Sequence, residues 1–188
     1  GLIGYCSTST ITDSYNDGSV SASASNDYAC AGGLIGFSEH GITITNSYNS
    51  GTIIGSYAGG LFGVENGPSD FTITITNSYN NGIVNGNTSS GDAIGYVSGG
   101  YYYITITNCI SGYSTNGFVG DASGWDGSYT IITNSYSLVS GNSSYNGTLC
   151  TINQLNSVDF YTETLGWSED VWDFSDLDAA NGKYPKLK

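Results

Sequence analysis

The sequence predicts an all-β chain: a right-handed parallel β-helix (solenoid) of about five coils with a C-terminal cap. Three observations lead there. A block reading Ile-Thr-Asn or Ile-Thr-Asp recurs at Ile11–Asp13, Ile44–Asn46, Ile75–Asn77, Ile106–Asn108 and Ile132–Asn134. A second block alternates with it, at Gly1–Gly4, Gly33–Gly36, Gly60–Gly63, Asp92–Gly95 and Gly117–Gly120. The apolar runs are short, alternate with Thr, Ser or Gly, and lack helical spacing. Two markers sharing a variable period of about 30 residues mean copies of one unit, which buries its apolar face only by stacking on its neighbours. A β-propeller would need four strands per blade, for which these repeats carry too little chain.

Strand alternation assigns the faces. In the strand ending at each Asn or Asp, Ile11, Ile44, Ile75, Ile106 and Ile132 share one face and are expected in the core. Thr12, Thr45, Thr76, Thr107 and Thr133 then point outward. Two residues earlier, Thr10, Thr43, Thr74 and Thr105 form a second outward file, which Ile131 breaks. The Asn/Asp file marks a corner, because Asn tolerates the left-handed conformation and stacked amides bond from coil to coil. Tyr15, Tyr48, Tyr79 and Tyr136 follow as a partly buried aromatic stack. The Gly-flanked block supplies a second apolar strand, with Leu34, Leu61 and Phe118 in one file and Ile35, Phe62 and Ile94 in the next.

Residues 1–148 therefore form the repeats, and 149–188 form a capping segment without repeat blocks. There, Thr151 to Leu155 is expected to begin a short helix, and Phe160, Trp167, Trp172, Phe174 and Leu177 to plug the last coil. Gly1 opens in mid-pattern, which predicts an upstream domain or a head-to-tail contact between copies.

Charge excludes several functions. Among 188 residues there are 3 Lys+Arg against 16 Asp+Glu, a formal net charge of -13. The three are Lys183, Lys186 and Lys188, so nothing earlier carries a permanent positive charge. Nucleic-acid binding lacks its phosphate-neutralising residues, and a polybasic membrane anchor or an Arg clamp is excluded likewise. No apolar run is long enough for direct membrane insertion.

The combination of GGLIGF (Gly32 to Phe37), ITNSYNSGTI (Ile44 to Ile53) and GGLFG (Gly59 to Gly63) resembles the GLUG-motif repeat family. The ending, FYTETLGW (Phe160 to Trp167) followed by VWDFSDLDAANGKYPKLK (Val171 to Lys188), looks like the segment that closes such arrays. The resemblance implies an extracellular β-solenoid of a bacterial cell-surface protein, a stalk or adhesin-like module such as those beside IgA-cleaving peptidases. It implies no catalytic residues. Its partners would be a host or cell-surface glycan or protein, or neighbouring copies. The fourth copy departs from the pattern at Asp92-Ala93 and Cys109-Ile110, so distortion is expected in that coil.

Other chemistry is weighed against this non-catalytic reading. The Thr files form a regular hydroxyl–methyl lattice, about 6.7 Å by 4.8 Å, similar to the arrays of ice-binding solenoids. That makes ice binding the first alternative, although Thr is common on any exposed β face. A carbohydrate-binding or carbohydrate-active solenoid is the second, with Asp121 and Asp126 flanking Trp125 as paired carboxylates beside a sugar platform. No cofactor and no metal is expected. The acids Glu169, Asp170, Asp173, Asp176 and Asp178 lack a Ca²⁺-loop spacing, and His40 stands apart from any Cys/His cluster. The even cysteine count permits disulfides, with Cys6–Cys30 and Cys109–Cys150 the pairing expected from one coil of separation.

Overall fold

The computed structural model describes residues 1–24, 28–67, 70–112, 117–124, 127–138 and 145–188. Its strands wind into four parallel sheets. Sheet 1 stacks Ile3–Cys6, Ile35–Ser38, Phe62–Asn66, Ile94–Ser98 and Val119–Ser123. Sheet 2 stacks Ser9–Thr12, Ile42–Thr45, Phe71–Thr76, Tyr102–Thr107 and Tyr129–Thr133. Sheet 3 stacks Tyr15–Asn16, Tyr48–Asn49, Tyr79–Asn80, Ile110–Ser111, Tyr136–Ser137 and Thr148–Leu149. Sheet 4 joins Val20–Ser21, Cys30–Gly32, Ile53–Gly59 and Val84–Gly91. The fold is a β-solenoid. Sheets 1 and 2 take one strand from each of five repeats, but all four sides are described for three turns. Residues 113–116 and 139–144 lie outside the described residues.

The core sits between sheets 1 and 2. Ile44, Ile73, Ile75 and Ile106 are fully buried against Ile35, Phe62 and Ile94. Alternation explains why Thr faces out, and the fifth coil shows what happens when it slips. There, Thr130 occupies the inward position of Ile104 with its buried Oγ1 near the Tyr102 hydroxyl, and Ile131 stands 56% exposed in the Thr file. The Gly-flanked block earns its composition where sheets 1 and 4 touch. A Cβ on Gly63 would collide with the carbonyls of Gly36 and Ala31, so no larger residue lets these backbones approach.

Corners hold the coils in register. Asp13, Asn46, Asn77, Asn108 and Asn134 all adopt φ between 44° and 55°, the left-handed region that Asn tolerates. Their side chains form a ladder: Asn46 Nδ2 donates to Asp13 Oδ1 (3.0 Å), Asn77 to Asn46 (3.3 Å), Asn108 to Asn77 (3.2 Å) and Asn134 to Asn108 (2.8 Å). A second ladder runs inside sheet 3, where Asn16 donates to Asn49 and Asn49 to Asn80, each at 2.7 Å. It ends in the fourth coil, where Asp92 accepts from Asn80 (3.5 Å) and from Ser111.

That exchange corrects the expected distortion of the fourth copy. A Cβ on Gly60 would meet the Asn80 side chain at 2.4–2.7 Å, whereas Ser111, shorter than Asn, opens the space that Asp92 fills. Ile94 stays in register with Phe62 and Val119.

The C-terminal segment also differs from expectation. Its aromatic residues do not simply close the last coil; they turn back along the outer face of sheet 3. Trp167, Trp172 and Tyr184 pack with Tyr48, Tyr79 and Ile110 in one buried cluster. Trp167 Nε1 donates to Asn108 O (2.9 Å), Tyr79 Oη to Pro185 O (2.7 Å) and Tyr184 Oη to Gly112 O (3.2 Å). The Tyr file is the strip this segment covers: Tyr15–Tyr48 and Tyr48–Tyr79 rings stack at 5.1 and 4.8 Å. The helix Ile152–Leu155 begins as expected, with Thr151 and Gln154 forming a capping box.

Glu65 is the misfit of the interior. Its inward position lies between Ser38 and Val97, it is fully buried, and neither carboxylate oxygen has a hydrogen-bond partner of good geometry. Burial pushes its carboxyl from 4.5 up to about 8; the Gly67 amide offsets part of this and the Glu39 charge adds to it.

Two predictions follow from these interior contacts. Asn77→Ala loses both ladder bonds and strains the corner, at about 2–4 kcal/mol in urea unfolding, whereas Asn77→Gly keeps the backbone conformation and loses about 1–2 kcal/mol less. For Glu65, the raised carboxyl makes the fold most stable below the unfolded value. Stability is then lost as pH rises towards about 8, by as much as ~5 kcal/mol. Glu65→Gln should therefore gain on the wild type between pH 4.5 and pH 9, read from urea midpoints at both ends.

Candidate functional site

Sheet 2 presents the most regular outer surface. In register, Thr10, Thr43, Thr74 and Thr105 align across four coils, with Ile131 next, and Thr12, Thr45, Thr76, Thr107 and Thr133 align across five. Thr10, Thr12 and Thr133 are exposed and the others half-buried by their neighbours. The structure thus brings together all nine threonines singled out in the sequence, with no charged side chain inside the two files. Along one side runs the Asn corner ladder. Along the other, Thr72, Tyr103 and Tyr129 follow in register, with the two tyrosine rings 5.4 Å apart. There a cleft of about 470 Å³ is lined by His40, Asp70, Thr43, Thr72 and Tyr103 among others.

The other candidates scatter. Asp121 is exposed on sheet 1 opposite Tyr96, while Trp125 and Asp126 lie outside the described residues. All four cysteines are free, so neither expected disulfide forms. The reason is that one coil of chain separation does not put two residues on the same face. Cys6 belongs to sheet 1 and Cys30 to sheet 4. Cys109 packs into the core between sheets 1 and 2, whereas Cys150 lies in the cluster outside sheet 3. Burial pushes the Cys109 thiol up to about 12 and the Cys150 thiol up to about 11, so both are poor nucleophiles.

Three acids of the C-terminal segment have local partners. Asp176 pairs with Lys183 at 2.9 Å, Asp178 accepts from Asn181 at 2.8 Å, and Asp173 accepts from the Ser175 amide at 2.9 Å. Among the described residues no three His, Cys, Asp or Glu side chains converge to hold a metal ion, and no helix is long and apolar enough to cross a membrane.

Sequence reasoning missed the inner amide ladder and the buried Glu65. The ladder had a signal, since Asn16, Asn49 and Asn80 each follow a Tyr of the file; alternation gave none for Glu65, which turns inward three residues after Phe62, as Val97 does after Ile94.

Searches of curated proteins and of solved structures return no match. Residues 27–54 match the model of the GLUG motif. That stretch takes in the described strands from Cys30–Gly32 through Tyr48–Asn49 and enters Ile53–Gly59, so it makes one circuit through all four sheets. One GLUG motif thus spans one turn of this β-solenoid, and similar blocks stack on it in register along the rod.

Proposed function

We propose that the chain is a non-catalytic, extracellular structural and adhesive module of a cell-surface protein, with the outer face of sheet 2 as its contact surface. The observation behind this is the uncharged Thr lattice, held in register by two amide ladders and covered by no other part of the described chain. A preorganised surface of hydroxyls and methyls loses little side-chain entropy when it binds. It suits a neutral glycan or protein surface better than a charged one. The GLUG motif supports the setting, by its resemblance to repeats of bacterial surface proteins.

The test is binding of the purified chain to a glycan array and to whole cells. Thr45→Trp and Thr76→Trp, which disturb the lattice from outside the core, should reduce binding about tenfold or more while leaving the circular dichroism spectrum unchanged. Equal binding by the substituted proteins would remove the Thr face from the function.

A second reading, ice binding, is favoured by one specific observation: both Thr files are unbroken over four consecutive rungs. Repeats of about 4.8 Å and about 6.7 Å are close to oxygen repeats on ice faces. This reading expects thermal hysteresis from the wild type at millimolar concentration, lost in Thr45→Trp; no hysteresis at that concentration ends it.

A further inference from the structure

The chain's three cations sit at its far end in sequence, yet the structure carries two of them back to the first three coils. The tail runs along sheet 3, and Asn81 Nδ2 donating to Gly182 O (3.0 Å) pins it there. A cleft of about 390 Å³ opens between the tail and the Tyr file, lined by Tyr15, Asp17, Tyr48, Asn81, Lys183 and Lys186 among others.

Several groups in this cleft are unused by the fold. Tyr15 is 49% exposed, with one face stacked on Tyr48. The Tyr48 hydroxyl makes no hydrogen bond within the described chain, and burial, helped by Tyr15 and Asp17, pushes it up to about 12. It therefore stays a neutral donor at ordinary pH. Lys183 is ion-paired with Asp176, whereas the Lys186 ammonium makes no close ion pair among the described residues and attracts only the carboxylate of Asp173, its cross-strand neighbour, at longer range. The orientation of Asn81 is set by its bond to Gly182.

We propose that this cleft binds an acidic sugar, a hexuronate residue of a polysaccharide. Its carboxylate meets Lys186 and the Tyr48 hydroxyl, which are the cation and the donor that a carboxylate needs. The aliphatic face of the ring packs on Tyr15. The overall charge of -13 does not forbid this. Exposed charges more than about 8 Å away are screened at physiological salt, and inside the cleft Lys183 and Lys186 stand against one carboxylate, Asp17. The proposal is independent of whether the Thr face binds anything.

The experiment titrates the whole chain with an oligogalacturonate and, separately, with a neutral gluco-oligosaccharide of the same length, followed by amide chemical shifts. The uronate should shift amides around Ser50, Gly182 and Leu187, and the neutral sugar should not. Lys186→Gln should weaken uronate binding about tenfold, the loss of one charge-assisted contact, and Tyr15→Ala should weaken it similarly. Lys188→Gln, outside the cleft, should leave it unchanged. Each variant's spectrum without ligand reports whether it is folded. The proposal is overturned if the uronate causes no shift, if the neutral sugar binds equally, or if Lys188→Gln costs as much as Lys186→Gln. Loss of glycan-array binding in the Thr variants with uronate binding intact would separate the two surfaces.

Discussion

Parallel strands from different repeats share a sheet only if every coil returns to the same height, and in this chain the corner after sheet 2 sets that height. An Asn or Asp in the left-handed conformation turns the chain at the same point in each repeat, and its amide bonds the equivalent residue one coil away. Strand pairing, the alternation of Ile in and Thr out, and the stacking of the Tyr rings all depend on this corner. A slip of one residue would exchange core and surface. The fifth coil illustrates that sensitivity, since a local change of order turns Thr130 inward and leaves Ile131 in water.

Much of this was legible in the sequence, because it follows from periodicity. The Asn file predicted the left-handed corner and the amide ladder. The alternation predicted which Ile and Thr residues face which way. Periodicity also placed the nine outward threonines of the candidate site. What was not legible depends on contacts between segments far apart in sequence. The aromatic tail could be read as a plug for the last coil, because nothing in residues 149–188 says in which direction it runs. Its course is set by the Tyr strip, whose rings need a cover that adjacent repeats do not supply. The disulfide expectation failed for a related reason: one coil of chain places two residues at neighbouring heights but says nothing about the side of the rod they occupy.

The interior holds polar groups in two ways, paired or neutral. Asp92, Ser111 and Asn80 form a closed set in which a shorter side chain on one wall makes room for a longer one opposite. Glu65 has no such arrangement and stays neutral instead, as burial of an unpaired carboxylate requires. Both lie inside the same rod within two coils of each other, so the difference arises from the neighbouring side chains and not from depth.

The two amide ladders run in opposite senses. At the corner after sheet 2 each Nδ2 points towards the preceding coil, and inside sheet 3 each points towards the following one. A coil therefore carries an acceptor edge at one corner and a donor edge at the other, like a tile with a tab on one side and a slot on the opposite side. Such tiles add in one orientation and at one rotation about the rod axis. The second and third coils present matching tabs and slots, so an array of this kind can lengthen by duplicating a whole repeat there without redesigning any contact. The fourth coil cannot be duplicated so simply, because Asp92 has only acceptors to offer and ends the inner ladder wherever it is placed. In this rod, growth and termination are written into the choice between an amide and a carboxylate.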